Sequence, residues 1–286
     1  MTGAAQGTGP SVPAPTLSRR HAAGSGSARG LLFTVLGEFV LPSGTTAWTS
    51  AFIDVLGRLG VEEKATRQAL MRTAADGWLH PDRVGRRTCW ALTPAAEKLL
   101  VEGAERIYGF TGTDPAWDGR WLLVLARAPE SERPTRHRLR TRLTWAGLGS
   151  PAPGVWLSPR ADQQAEVEAV LAEAGMLDEA QIFVAEHRDA GGSGIESMLA
   201  QAWDLPMIEQ RYQEFLERFR GVPSRHPLTT TVELVHAWRR FPWIDPSLPS
   251  RLLPRPWPGV AAAALFARLH RRLAAGAQAE WQALNT

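Results

Sequence analysis

The chain has 286 residues, 44% of them hydrophobic, and a formal net charge of +3 at neutral pH, which is enough material for two or three domains with their own cores. Only Lys64 and Lys98 are lysines among the 32 basic residues. This preference for arginine indicates a GC-rich genome, so arginine alone is weak evidence for phosphate binding. The single cysteine, Cys89, excludes an internal disulfide, and no apolar run reaches the roughly 18 residues of a membrane span. We therefore expect a cytoplasmic protein with no membrane segment.

The N-terminal part divides into a polar arm and two apolar helices. Residues 1–28 are mainly Gly, Ala, Ser, Pro and Thr, which cannot bury enough apolar surface to offset the entropy of ordering, so we predict a disordered arm. The strings LLFTVLGEFV and AWTSAFIDVLGRLG then predict two helices. We expect Thr45 or Thr46 to cap the second helix and Gly60 to end it.

The stretch from Val61 to Leu92 carries the strongest functional signal. Its first half predicts a helix with no acid between Lys64 and Ala75. At helical spacing, one face of it holds side chains that suit phosphates and the edges of guanine or adenine. These side chains are those of Lys64, Arg67, Gln68 and Arg72, and Met71 lies on the same face. The opposite, inward face holds Ala65, Thr66, Ala69, Leu70 and Thr73.

The second half of this stretch predicts a hairpin, GWLH and TCWAL joined by PDRVGRR. Its turn region holds three arginines, Arg83, Arg86 and Arg87. A solvated helix beside an ordinary hairpin is the alternative interpretation. The two preceding helices, and the next helix capped by Thr93, favour a winged helix-turn-helix DNA-binding domain over residues 29–110.

The rest of the chain predicts two further domains and an α+β fold overall. Residues 117–190 follow a β-α-β-β-α-β order, which suits a ferredoxin-like middle domain. A GGSG hinge leads to a helical C-terminal domain over residues 195–286, in which Asp204 is expected to cap a helix. The proline-rich segment 245–259 cannot form a regular helix and is expected to run extended.

Several strings in combination resemble the PaaX-like family, the repressors of phenylacetic acid degradation. They are LLFTVLGEFV, TRQALMRTAADGWL, RVGRRTCWALTPAAEKLLVEGAERIYG, WDGRWLLVL, PAPGVWLSP and DPSLPSRLLPRPWPG. The resemblance implies a homodimeric repressor with an N-terminal winged helix, a Cas2-like middle domain and a helical C-terminal domain. It also implies binding to an inverted repeat in double-stranded DNA and release by an aryl- or acyl-CoA thioester such as phenylacetyl-CoA. The chain departs from its relatives at Thr66 and Thr73, where they usually have aliphatic residues, and in its long N-terminal arm.

The small-molecule effector is expected at the junction of the middle and C-terminal domains, since arginine suits the phosphates of CoA and tryptophan suits an aryl tail. The candidate residues are Arg136, Arg138, Arg140, Trp238, Trp243, Arg251, Arg255 and Trp257. The run of arginines from Arg133 to Arg142 has two open interpretations. It is either a phosphate-binding surface or a solvated helix face paired with acids such as Glu130 or Glu132, or with acids of another element.

No catalytic or metal-binding pattern stands out. The seven histidines form no HxxxH or HExxH pair, Cys89 has no second cysteine, and no phosphate-cradling glycine string is present. A metal-dependent nuclease is the alternative function, because the Cas2-type nuclease that the middle domain resembles holds metal with an acid at the end of its first strand. Here that place reads Ala126-Arg127, so we expect no enzyme activity, no metal and no cofactor.

Overall fold

The computed structural model describes residues 27–112, 117–127, 132–188, 194–223 and 225–286. The predicted disordered arm, apart from its last two residues, and most of the GGSG hinge lie outside this part. The chain forms two compact units. Unit 1 contains the N-terminal residues up to Gly109 together with 221–240 and 266–286, and unit 2 contains 110–220 and 241–265.

Unit 1 begins with helix α1 (Ala28–Val35), which continues through a π-helical turn (Leu36–Val40) and a last short helical turn (Leu41–Ser43). Its other N-terminal elements are β1 (Ala47–Trp48), α2 (Thr49–Arg58), α3 (Glu63–Ala75), β2 (Leu79–Val84), β3 (Arg87–Leu92) and α4 (Pro94–Tyr108). The three strands form an antiparallel sheet in the order β1-β3-β2. A hairpin thus follows directly after α3.

Two helix starts in unit 1, those of α1 and α4, have a side-chain cap. Ser27 accepts a hydrogen bond from the Gly30 N–H at the start of α1, and Thr93 accepts one from the Ala96 N–H at the start of α4. The predicted cap of α2 at Thr45 or Thr46 is wrong. The next residues, 47 and 48, form strand β1 against β3, so the cap position falls on Trp48, which makes no side-chain cap bond.

The core of unit 1 also includes residues from the C-terminal third of the chain. Helix α9 (Pro227–Trp238) and the second half of α11 (Pro258–Leu284) contribute Leu228, Val232, Ala277 and Trp281 to this core. The Trp281 ring stacks on Phe39 at a centroid distance of 5.5 Å, and His270 Nε2 lies 2.9 Å from the Glu38 carboxylate in the π-helical turn. The segment predicted as one helical domain, 195–286, therefore contributes to both units, because the apolar faces of its helices bury in different cores.

Unit 2 contains a four-stranded sheet with two helices against it. In chain order these elements are β4 (Arg120–Leu125), α5 (Arg133–Trp145), β5 (Gly149–Ala152), β6 (Val155–Ser158), α6 (Gln164–Glu173) and β7 (Gln181–Glu186). The strand order is β5-β6-β4-β7, and every neighbouring pair is antiparallel. Leu122 and Val124 of β4 pack against Leu139 and Leu143 of α5 in one buried cluster. The β-α-β-β-α-β order is the predicted one.

The remaining helices of unit 2 are α7 (Ile195–Ala202), α8 (Leu205–Phe219) and the short α10 (Phe241–Ile244). Asp204 caps α8 as predicted, since its carboxylate accepts a hydrogen bond from the Met207 N–H at 3.1 Å. The proline-rich segment 245–259 contains one short 3₁₀ turn, Ser250–Leu252, before α11 begins at Pro258. Within the described residues, no helix is both long and apolar enough to cross a membrane.

The WDGRW string forms a closed turn at the start of β4. The Asp118 carboxylate accepts hydrogen bonds from the backbone N–H and the Nε of Arg120, at 2.9 and 2.6 Å. The backbone bond and then the side-chain bond hold the pKa of Asp118 below its usual value. Arg251 donates to the Trp117 carbonyl at 2.9 Å, with its guanidinium 4.2 Å from the Trp117 ring centre. This string therefore has a structural role, which ties the proline-rich segment to the first strand of the sheet.

Candidate nucleic-acid interface

The outward face of α3 is the one that the sequence predicts. Its side chains at helical spacing are all exposed, namely Lys64, Arg67, Gln68, Met71 and Arg72. The inward positions Ala69 and Leu70 are buried in the core of unit 1. A helix held by its inner face in this way can present its outer face to a partner without losing packing.

The two threonines on the inward face, Thr66 and Thr73, are both fully buried. Thr66 satisfies its hydroxyl locally, since Oγ1 donates to the Glu62 carbonyl at 3.3 Å. Thr73 Oγ1 has no hydrogen-bond partner among the described residues, and an unpaired buried hydroxyl costs roughly 1–3 kcal/mol. Thr73 therefore reduces the stability that burial of the inner face gives to α3.

The ion pairs around α3 leave most of its polar face available. Arg67 pairs with Glu63 one turn earlier, at 2.7 Å, with both side chains more than half exposed; such exposed pairs are weak and exchange readily with another anion. Asp76, the acid after the helix, pairs with Arg29 of α1 at 2.5 Å. Arg72, between these two pairs, has no ion pair among the described residues.

The hairpin after α3 has a two-residue turn, Gly85-Arg86, between the paired residues Val84 and Arg87. Gly85 has a φ of 62°, a left-handed conformation that favours glycine at the first turn position of a two-residue hairpin. Arg83 and Arg86 are both exposed. The two arginines therefore make the tip of the hairpin basic, and the hairpin follows α3 directly in the chain.

Arg87 is placed differently from the other two hairpin arginines. Its guanidinium lies 3.9 Å from the centre of the Trp48 ring and donates to the Thr286 carbonyl at 2.9 Å. These two contacts of the Arg87 side chain hold Thr286 against the sheet of unit 1. Cys89 is buried, and its Sγ lies 3.6 Å from the Asp82 carbonyl, as expected of a structural cysteine.

Trp238 is a core residue, and its ring is not accessible to a ligand. Its side chain is fully buried in unit 1, donates from Nε1 to the Ile107 carbonyl at 3.1 Å and stacks on Phe266 at 4.8 Å. This corrects the expectation that it contacts an aryl tail. Spacing alone could not separate this residue from the other tryptophans, because burial depends on which core its helix joins.

The other predicted effector residues all belong to unit 2. Arg136, Arg138, Arg140 and Arg255 are exposed, whereas Trp243 and Trp257 are half-buried. Trp243 contacts Trp145 edge to face, at 5.6 Å between ring centres. Arg251 is already engaged with Trp117. The structure therefore brings exposed guanidinium groups and partly accessible indole rings into one unit.

The arginine run on α5 separates into two sides of the helix. Arg142 pairs with Glu173 of α6 at 2.7 Å, as the solvated-face interpretation predicts. By helical spacing, Arg133, Arg136 and Arg140 share the other side, and they have no ion pair among the described residues. Glu130, one of the acids expected to pair with the run, lies outside the described part.

The nuclease alternative finds no metal centre in the part of the chain that the structure describes. Ala126 and Arg127 follow the end of β4, where Ala126 is buried and Arg127 is exposed. No group of three His, Cys, Asp or Glu side chains in the described ranges is close enough together to hold a metal ion.

Comparison with known proteins identifies the family to which the chain belongs. Three family models match successive parts of the chain: the PaaX-like protein model over residues 27–96, the PaaX central Cas2-like domain over 114–194 and the PaaX-like C-terminal domain over 203–283. The chain belongs to the PaaX-like family of transcription regulators. A named relative is the transcriptional repressor PaaX of Escherichia coli (strain K12), which is 31% identical over 270 residues that span 88% of this chain and 82% of the relative.

A solved structure shares the fold. It is that of the uncharacterized protein Rv0674 from Mycobacterium tuberculosis, with a TM-score of 0.61 and 21% identity, covering 90% of this chain and 100% of that one.

Proposed function

We propose that this PaaX-like protein is a cytoplasmic, sequence-specific DNA-binding repressor that uses α3 as its recognition helix and the β2–β3 hairpin as its wing. The observation that carries the proposal is the outer face of α3, where Lys64, Gln68 and Arg72 are exposed above a buried inner face. The element order of unit 1 and its three-stranded sheet fit a winged helix-turn-helix. Similarity to a transcriptional repressor supports the same function.

The test of this function is a binding competition. The DNA upstream of the protein's own gene, narrowed by footprinting, should bind far more tightly than a scrambled sequence of equal length. Specific sites are typically preferred by a factor of about 10³ or more over non-specific DNA. Equal affinity for the two DNAs, at several salt concentrations, would reject the proposal.

We propose further that the protein acts as a homodimer on an inverted repeat. The ferredoxin-like strand order of unit 2 leaves β7 at a sheet edge, with Phe183 46% and Val184 47% exposed. An exposed apolar edge strand favours pairing with another strand. Antiparallel pairing of two β7 strands would also bring Arg188, after one strand, towards the acids before the other, Asp178 and Glu179.

An aryl- or acyl-CoA thioester is the proposed effector, bound by residues of unit 2. Arg136 and Arg140 on α5 are exposed and have no ion pair among the described residues, so they suit the phosphates of CoA. Trp243 and Trp257 remain the aromatic candidates. The ester releases the protein only if it binds the DNA-free form more tightly than the DNA-bound form. Equal affinity for the two forms would leave the fraction of protein on DNA unchanged.

Calorimetry with phenylacetyl-CoA and a short panel of other CoA esters should detect saturable binding that weakens operator binding. The double substitution Arg136→Gln and Arg140→Gln should reduce the affinity for the ester, because it removes two cations from the phosphates. The matched control is Arg211→Gln, an exposed arginine paired with Glu214 on α8. Absence of heat and of any effect on operator binding across the panel would reject the effector.

We also propose that the protein is not an enzyme. A metal-dependent nuclease needs carboxylates at close range around its ion, and Ala126-Arg127 stands where the first-strand acid is required. Incubation with linear DNA and RNA in Mg²⁺ or Mn²⁺ should leave both intact. Cleavage that a substitution in unit 2 abolishes would contradict this.

A further inference from the structure

Met71 is the most exposed large apolar side chain of α3, with 63% of its surface accessible. It stands on the outer face that also carries Gln68 and Arg72. Single exposed apolar residues are common on protein surfaces. Met71 differs because its neighbours on the same face are the side chains with the best chemistry for base edges. Its exposure therefore lies inside the surface that the proposed function turns towards DNA.

The chemistry of the major groove offers one apolar partner to such a side chain. Each A·T pair presents the C5-methyl group of thymine there, beside the acceptor and donor atoms of adenine that a glutamine reads. Gln68 lies three residues before Met71, so the two side chains are neighbours on the helix surface. A thioether is flexible and polarisable, and it can pack on a methyl group without needing a fixed geometry.

We infer that Met71 reads a thymine methyl group in each half-site of the operator, next to the base that Gln68 contacts. This inference rests on the proposed function and adds a specificity determinant to it. The energy comes from taking one methyl group and the thioether out of water. Burial of one methyl group corresponds to a change of about fourfold in affinity.

The experiment replaces thymine by deoxyuridine at single positions of the operator, which removes the methyl group and leaves base pairing unchanged. The wild-type protein should bind one such operator about fourfold more weakly. Met71→Ala should bind the thymine and deoxyuridine operators equally, whereas Met71→Leu, which keeps an apolar side chain, should retain most of the difference. The matched control is Met207→Ala, which changes an exposed methionine of unit 2 and should behave like the wild type.

Two results would overturn the inference alone. One is a wild-type protein that does not distinguish thymine from deoxyuridine at any position of either half-site. The other is a Met71→Ala variant that keeps the full wild-type difference, which would assign the methyl group to another residue. A wild-type protein with no preference for the operator over scrambled DNA would instead remove the proposed function, and the inference with it.

Discussion

Replacement of Arg72 by alanine is expected to remove most of the preference for the operator while weak binding to any DNA persists. The guanidinium is exposed on α3 and has no ion pair among the described residues, so it is available for a guanine edge. A bidentate contact of this kind contributes roughly 1–3 kcal/mol to discrimination, or about 5- to 150-fold in operator affinity for each half-site of the proposed dimer. Binding to phosphates by other residues does not depend on sequence and should remain.

Arg86→Ala provides the matched comparison from the hairpin turn. An arginine there is nearer to the DNA backbone than to base edges, so its loss should weaken operator and scrambled DNA alike. The slope of log affinity against log salt should become shallower by about one unit for each lost phosphate contact, with one contact in each half-site of the proposed dimer. The measurement is the affinity of both variants for both DNAs across a salt series. An Arg72→Ala variant that keeps the wild-type ratio between the two DNAs would show that Arg72 does not read the sequence.

The alternative for Arg72 is a purely structural role, in which its stem packs on the helix and its charge pairs with Glu62 or Asp76. Asp76 is already paired with Arg29 at 2.5 Å, which removes one of these partners. Arg29→Ala would free Asp76 and let it pair with Arg72 in the absence of DNA. We therefore expect Arg29→Ala to weaken operator binding slightly, in the same direction as Arg72→Ala.

Asp245→Asn is expected to change how stability depends on pH. Burial raises the pKa of Asp245 to about 6, although hydrogen bonds from the Tyr212 hydroxyl at 2.5 Å and the Ser247 N–H at 2.7 Å oppose the rise. The folded state therefore binds this proton more tightly than the unfolded state, in which the pKa is about 4. The protonated Asp245 side chain therefore contributes its full share of the unfolding free energy below about pH 4. This contribution is lost as the pH rises through about 6.

The quantity to measure is the free energy of unfolding of wild type minus that of Asp245→Asn, from pH 4 to pH 7. It should fall by up to about 3 kcal/mol as pH rises, since two pKa units correspond to roughly that energy. The asparagine keeps an acceptor for the Ser247 N–H and has no charge to bury. The control Asp178→Asn changes an exposed carboxylate in the same unit and should follow the wild-type profile. If the difference in unfolding free energy between wild type and Asp245→Asn stays constant from pH 4 to pH 7, the pKa of Asp245 is not raised.

The sequence predicts α3 and its two faces well, because the i, i+3, i+4 spacing of charged and apolar residues depends only on local geometry. The same holds for the caps at Thr93 and Asp204, which are local hydrogen bonds. The sequence does not predict that Arg87 contacts the chain terminus 199 residues away. Such a contact arises from tertiary packing, and no local spacing encodes it.

The division of the C-terminal helices between two units is a second feature that sequence patterns do not reveal. Helix α9 carries apolar residues on most sides, eight of its residues being buried, so its pattern cannot indicate which core it joins. The sequence pattern therefore does not distinguish Trp238, at the end of this helix, from the tryptophans of unit 2, although Trp238 packs in unit 1. A helix that is buried on several faces loses the directional information of an amphipathic one.

Methylation interference at guanine N7 tests most directly whether α3 reads the major groove, since N7 lies in that groove and accepts the arginine contact. We expect two groups of interfering guanines, one in each half of the inverted repeat, with centres one helical turn or roughly 34 Å apart. In the Arg72→Ala protein, one guanine of each group should cease to interfere, while Arg86→Ala should leave the pattern unchanged. A wild-type pattern with no interfering guanine, or one that Arg72→Ala does not alter, would contradict the assignment of α3 and Arg72 to base recognition.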